Sequence, residues 1–126
     1  TSHPRTRYVA DLIGTNLLRG VADGLVVRCG DATVAVAEPA TGPVLLTIPP
    51  RAITVHTRPP EGSARNAWPG TVTALDLLGE RVRVHVSGPV PLVAEITPAA
   101  LVDLDLQVGT SVWLSTKATE LTTYPA

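Results

Sequence analysis

Methionine and phenylalanine are absent from the 126 residues, and cysteine and lysine occur once each. A chain without methionine that starts at Thr1 is expected to be an excised piece of a longer protein. A single cysteine, Cys29, excludes an internal disulfide framework and fits a reducing compartment. Aromatic residues make up only 3%, too few for the base-stacking platforms of single-stranded nucleic-acid binders. The net charge of −1 lacks their basic surplus as well, so no nucleic-acid partner is expected. No apolar run approaches the roughly 18 residues of a membrane span, and no signal peptide opens the chain. The motifs of common catalysis are missing too. There is no Walker-type phosphate loop, no nucleophile elbow around a serine, and no zinc spacing among Cys29, His3, His56 and His85. Asp103 and Asp105 are the closest to a carboxylate pair, and they read as solvation of a helix end. No catalytic residue and no metal ligand is assigned.

What remains is apolar and patterned for strands. Hydrophobic residues make up 44%, enough for a core. Tyr8, Val9, Leu12 and Ile13 fall at helical spacing between Pro4 and Gly14, which predicts a short helix followed by a strand up to Gly20. Leu25, Val27 and Cys29 alternate with Val26 and Arg28, and Gly30-Asp31 breaks the run as a hairpin turn. Thr33 to Ala37 is a second strand. Glu38 to Pro43 reads as a loop. Val44, Leu46 and Ile48 continue on one face, followed by Ile53, Val55 and Thr57. Arg58 to Gly62 is the best boundary between lobes.

The second half alternates more clearly. Between Gly70 and Leu78 the apolar phase slips by one residue, which predicts a bulge. Val82, Val84 and Val86 point inward; Arg81, Arg83 and His85 point outward onto a solvated face. Leu92, Ala94 and Ile96 form the next inward face. Thr97-Pro98 is a helix start, with threonine as N-cap and proline at the first position. Ser111 to Thr116 is a strand, and Ala118 to Tyr124 is the last. Three strands, a short helix and two strands are the order of a five-stranded OB-type barrel. The expected architecture is all-β: an OB-like barrel at 62–126, a smaller β-rich lobe at 21–61, and a linker helix and strand at 1–20.

One cluster of donors stands at strand ends and turns: Ser63, Arg65 and Asn66 ahead of the first barrel strand, Thr97 at the helix start, and Lys117 with Thr119 after the fourth strand. Strand ends of a small barrel can converge on one rim. Hydroxyls, a guanidinium, an amide and an ammonium make a group rich in donors with two cations, which suits a deprotonated oxyanion. The helix start adds the N–H groups of Ala99 and Ala100. Taken singly, each residue has an ordinary reading as well. Thr97 caps a helix, Lys117 is a solvated strand-end charge, Cys29 is a small buried hydrophobe, and Trp68 and Trp113 anchor packing.

Together, Ser63-Ala64-Arg65-Asn66 and Pro69-Gly70-Thr71-Val72 resemble the opening of a molybdate-binding Mop (TOBE-type) domain. Ile96-Thr97, the Leu101–Leu106 run, Gly109-Thr110-Ser111-Val112 and Lys117-Ala118-Thr119 follow in family order, so the likeness spans roughly 62–124. Pro4 to Ala10, Ile13-Gly14 and Asn16-Leu17-Leu18 are similar to the segment that leaves the nucleotide-binding domain of importer-type ABC ATPases. The resemblance implies the C-terminal regulatory domain of a molybdate-importer ATPase, without enzymatic activity in this piece. It implies molybdate or tungstate as ligand, bound between subunits by Ser63, Arg65, Asn66, Thr97, Lys117 and Thr119, and no other cofactor. The implied partners are a second copy, the nucleotide-binding domain of the same chain and membrane permease subunits, at the cytoplasmic face of the membrane. The implied role is feedback inhibition of import. One family position departs: the serine expected three residues after Thr97 is Ala100. Other readings stay open at this point: a dimerisation module that has lost its ion site, a free-standing molybdate-storage protein, and a sulfate or iron importer with a related barrel.

Overall fold

The computed structural model describes residues 14–62 and 66–126. The helix expected over Tyr8–Ile13 lies outside them. Eight strands and one short α-helix follow in the order β1 (Asn16–Cys29), β2 (Ala32–Ile48), β3 (Thr54–His56), β4 (Asn66–Leu78), β5 (Arg81–Ser87), β6 (Leu92–Ile96), α1 (Pro98–Asp103), β7 (Ser111–Thr116) and β8 (Thr122–Pro125). They form a three-stranded sheet, β1-β2-β8, and a five-stranded sheet, β3-β7-β4-β5-β6. The all-β, OB-like architecture expected from the alternation is the one observed.

Local chemistry accounts for most elements. Gly30 and Asp31 link β1 to β2, with Cys29 opposite Ala32 and Gly30 at φ 62°, a left-handed conformation that costs glycine nothing. Cys29 is buried, and that burial pushes its thiol pKa above the ordinary value. The predicted slip in β4 is a bulge at Thr73: Val72 pairs with Val86 and Ala74 with His85. In β5, Val82, Val84 and Val86 are buried. The outward residues are not merely solvated. Arg81 and Arg83 approach Glu95 at 2.7 and 3.7 Å, and His85 Nε2 lies 2.7 Å from Asp76 Oδ2. Such partly exposed pairs stabilise by at most about 1 kcal/mol each. In α1, Thr97 Oγ1 accepts from the N–H of Ala100 at 3.1 Å, and Pro98 occupies the first turn.

Three expectations are corrected. Glu38 to Pro43 is not a loop: β2 runs on through it, and Thr41, Gly42 and Pro43 pair with Asp23, Ala22 and Val21. The interruption is shorter and earlier. Gly24 pairs with Ala40 while Val26 pairs with Ala35, so residues 36–39 of β2 stand against Leu25 alone. Pro39, which has no N–H for the ladder, falls in this stretch. The end of the chain is not one strand. A 3-10 turn at Ala118–Glu120 precedes β8. That turn buries Leu121 and redirects the chain to β2, where Tyr124 sits opposite Leu45. The fifth strand of the larger sheet therefore comes from the first half: β3 pairs with β7, Val55 opposite Leu114. Strands cross the segment around Gly62 in both directions.

Two asparagines hold the halves together. Asn66, 1% exposed at the start of β4, donates from Nδ2 to the Ala35 carbonyl and accepts the Ala35 N–H on Oδ1, both at 2.8 Å. Asn16, at the start of β1, donates to the Val93 carbonyl at 2.9 Å and accepts the Val93 N–H at 2.8 Å. Its Nδ2 also reaches the Ile48 carbonyl at 3.1 Å. Each carboxamide thus makes both bonds of an antiparallel residue pair with a strand of the opposite half. Trp68 Nε1 adds a bond to the Thr33 carbonyl at 3.3 Å, beside the Asn66 clasp.

Asn66→Ala leaves both polar groups of Ala35 without their partners, and unsatisfied buried groups cost about 1–3 kcal/mol each. The expected loss of stability is about 2–5 kcal/mol, read as a lower urea midpoint; Asn66→Asp, which has no donor, should be no better. Gly70→Ala is expected to lose about 1–3 kcal/mol in the same assay, because a Cβ there would overlap Val86 Cγ1 and sit 2.6 Å from the Ser87 carbonyl.

Candidate functional site

Beside the irregular stretch of β2 lies a cleft of about 980 Å³ lined by residues of both sheets and of the turn after β7. Leu25, Val36 and Ala37 form one wall. Ala52, Thr54, Ser115 and Thr116 form the floor, where β3 meets β7. Lys117, Ala118, Thr119 and Glu120 form the other wall, and Glu61 and Gly62 lie at its rim.

The structure brings some of the expected residues together. Lys117 and Thr119 share the cleft wall because the 3-10 turn places them on one side, directly after β7. Within that turn the first bonded N–H is that of Glu120, to the Lys117 carbonyl at 3.0 Å, so those of Ala118 and Thr119 find no partner inside it. Gly62, at the rim, immediately precedes Ser63 and Arg65, which lie outside the described residues. Asn66 follows, and its side chain is engaged with the backbone of Ala35 rather than turned to solvent. Thr97 does not line this cleft. Its hydroxyl oxygen accepts the Ala100 N–H at the start of α1.

The electrostatics are mixed. Among the described residues the charged groups on the wall are Lys117, Glu61 and Glu120. A single ammonium against two carboxylates does not by itself favour an anion. Among the described residues no three His, Cys, Asp or Glu side chains converge as metal ligands would. Among the described residues no helix is long and apolar enough to cross a membrane.

Sequence reasoning passed over one polar pair here. His56 Nε2 lies 2.7 Å from Ser115 Oγ, and the two residues are separated by 59 positions in the chain. Only the pairing of β3 with β7 makes them neighbours, and nothing in the local sequence signals it. The asparagine clasp did leave a signal. Asn66 and Gly70 repeat Asn16 and Gly20 fifty residues later, and each asparagine opens a long strand.

The TOBE domain profile matches residues 62–122. The molybdate/tungstate import ATP-binding protein WtpC of Pyrococcus horikoshii is 31% identical over 126 residues, covering 98% of this chain. The molybdenum import ATP-binding protein ModC of Mycobacterium tuberculosis is 34% identical over 133 residues, again covering 98% of the chain. The chain spans only 36% of the length of either relative. Among solved structures, the cytoplasmic molybdate-binding protein ModG, crystallised with molybdate bound, superposes with a TM-score of 0.79. That match covers 88% of this chain and 96% of the other, at 19% identity, and so speaks to the fold alone. Residues 62–122 therefore belong to the TOBE domain family, and nearly the whole chain is homologous to part of the molybdate and tungstate import ATP-binding proteins.

Proposed function

We propose that this chain is the regulatory oxyanion-binding part of a molybdate-importer ATPase, taking up molybdate or tungstate between two copies and slowing import when it is occupied. The observation that supports the reading is that Lys117 and Thr119 line one cleft together with Gly62, the residue before Ser63 in the sequence. In this reading Ser63, Arg65, Lys117 and Thr119 donate to the anion from one copy. Thr97, which lies away from that cleft, donates from the second copy. Asn66 acts by anchoring the end of the 63–66 segment through its bonds to Ala35.

A second copy has a surface to meet. The outer side of β1 exposes Leu17, Val21, Leu25 and Val26, each more than two-fifths accessible. Among the described residues β1 is also an edge strand of its sheet. The chain carries no ATPase chemistry of its own in this reading. The nucleotide-binding domain would come from the remainder of a longer protein, which would dock on permease subunits at the cytoplasmic face of the membrane. An anion that binds better in one arrangement of the dimer shifts the equilibrium toward it by its differential affinity, and that arrangement would keep the ATPase halves apart.

Ala100 favours a second reading, in which the chain only dimerises. The methyl group offers no hydroxyl at a position where the family carries serine, and the Ala100 N–H is already engaged by Thr97.

Calorimetric titration of the dimeric chain with molybdate separates the two. The expected result is saturable binding that sulfate does not displace and that Lys117→Ala weakens at least about ten-fold, the worth of a charge-assisted hydrogen bond. A dimer that takes up no molybdate at millimolar concentration would leave the dimerisation reading standing.

A further inference from the structure

The floor of the cleft holds a hydroxyl whose proton is not yet accounted for. Thr116 has spent its own: its Oγ1 donates to the Ala52 carbonyl at 3.0 Å. Ser115 has not. Its Oγ lies 2.7 Å from His56 Nε2, and a hydroxyl in that contact either donates to the ring or accepts from it. Ser115 lines the cleft and is only 8% exposed. His56 is half-buried and is not among the residues lining the cleft.

We infer that Ser115 is a further anion-binding residue of this cleft and that His56 is the positioning residue that turns its hydroxyl outward. This rests on the anion-binding reading above and adds to it the donor that Ala100 cannot supply. When Nε2 carries a proton it donates to Ser115 Oγ, and the hydroxyl proton is left to point at an oxyanion. When Nε2 is bare it takes the hydroxyl proton, and the serine presents lone pairs that repel the same anion. An anion in the cleft therefore selects the ring with Nε2 protonated, a requirement that the Nε2–H tautomer of the neutral ring already meets.

The test is calorimetric titration of the dimeric chain with sodium molybdate for the unaltered protein, Ser115→Ala, His56→Ala and His56→Gln. Ser115→Ala should weaken binding by about ten- to a hundred-fold, the range for a hydrogen bond to a charged group. His56→Ala should weaken it as well, and His56→Gln, whose amide N–H can take the place of the ring N–H, should restore it to near the affinity of the unaltered chain. Urea midpoints identify a variant that fails to fold, and the contrast between His56→Ala and His56→Gln still decides the matter. If the unaltered chain binds molybdate and Ser115→Ala and His56→Ala keep its affinity, the inference about Ser115 and His56 is overturned and the anion-binding reading stands. If the unaltered dimer binds no molybdate, the anion-binding reading fails and takes this inference with it.

Discussion

The architecture depends on a carboxamide doing the work of a backbone. A sheet edge entering a barrel from one half meets a strand of the other half at a point where no residue continues the ladder. Asn66 and Asn16 fill that gap. Each presents a carbonyl and an N–H two bonds from the main chain, with the same spacing as a peptide group, and so completes a residue pair with Ala35 or Val93. The substitutes available to this backbone are poor: aspartate has no donor, alanine has neither group, and glutamine carries its amide one methylene further out. Both asparagines are buried, which makes the geometry costly to break and correspondingly specific.

Function, in this reading, is placed by the same clasp. Asn66 bonds the start of β4 to Ala35 of β2, next to Val36 and Ala37, which line the cleft. The turn after β7 lines the same cleft. The cleft does not have the charge of a generic anion trap, since two glutamates share it with one lysine among the described residues. Recognition there depends on where hydrogens point, and this is why the orientation of a single serine hydroxyl matters.

The exchange of strands between halves follows from short-range causes with long-range results. Leu121 is apolar and buried, and the turn that buries it swings β8 toward β2. β3 is only three residues long, too short to build a sheet of its own, and it is stabilised by lying against β7. Neither half keeps all of its own strands, and the core is continuous from Val27 and Leu46 to Val84 and Leu114. Loss of packing in one half is expected to be felt in the other.

Alternation, turn chemistry and capping were legible because they are local. The Gly30-Asp31 turn, the phase slip at Thr73, the inward valines of β5 and the Thr97 cap all depend on residues within a few positions of one another. What the tertiary structure decided depends on partners far away in sequence. Pro39 and Gly42 read as a loop until β1 is laid beside them and holds the chain extended. Ala118 to Tyr124 reads as a strand until Leu121 finds the core. Asn66 reads as a ligand donor until Ala35, thirty-one residues earlier, takes both ends of its amide. His56 and Ser115 have no relation at all until two strands pair. Side-chain type and spacing determine which local conformations a segment can adopt. Which polar groups remain available to a ligand is settled only when every buried donor and acceptor has found its partner, and that is a property of the whole fold.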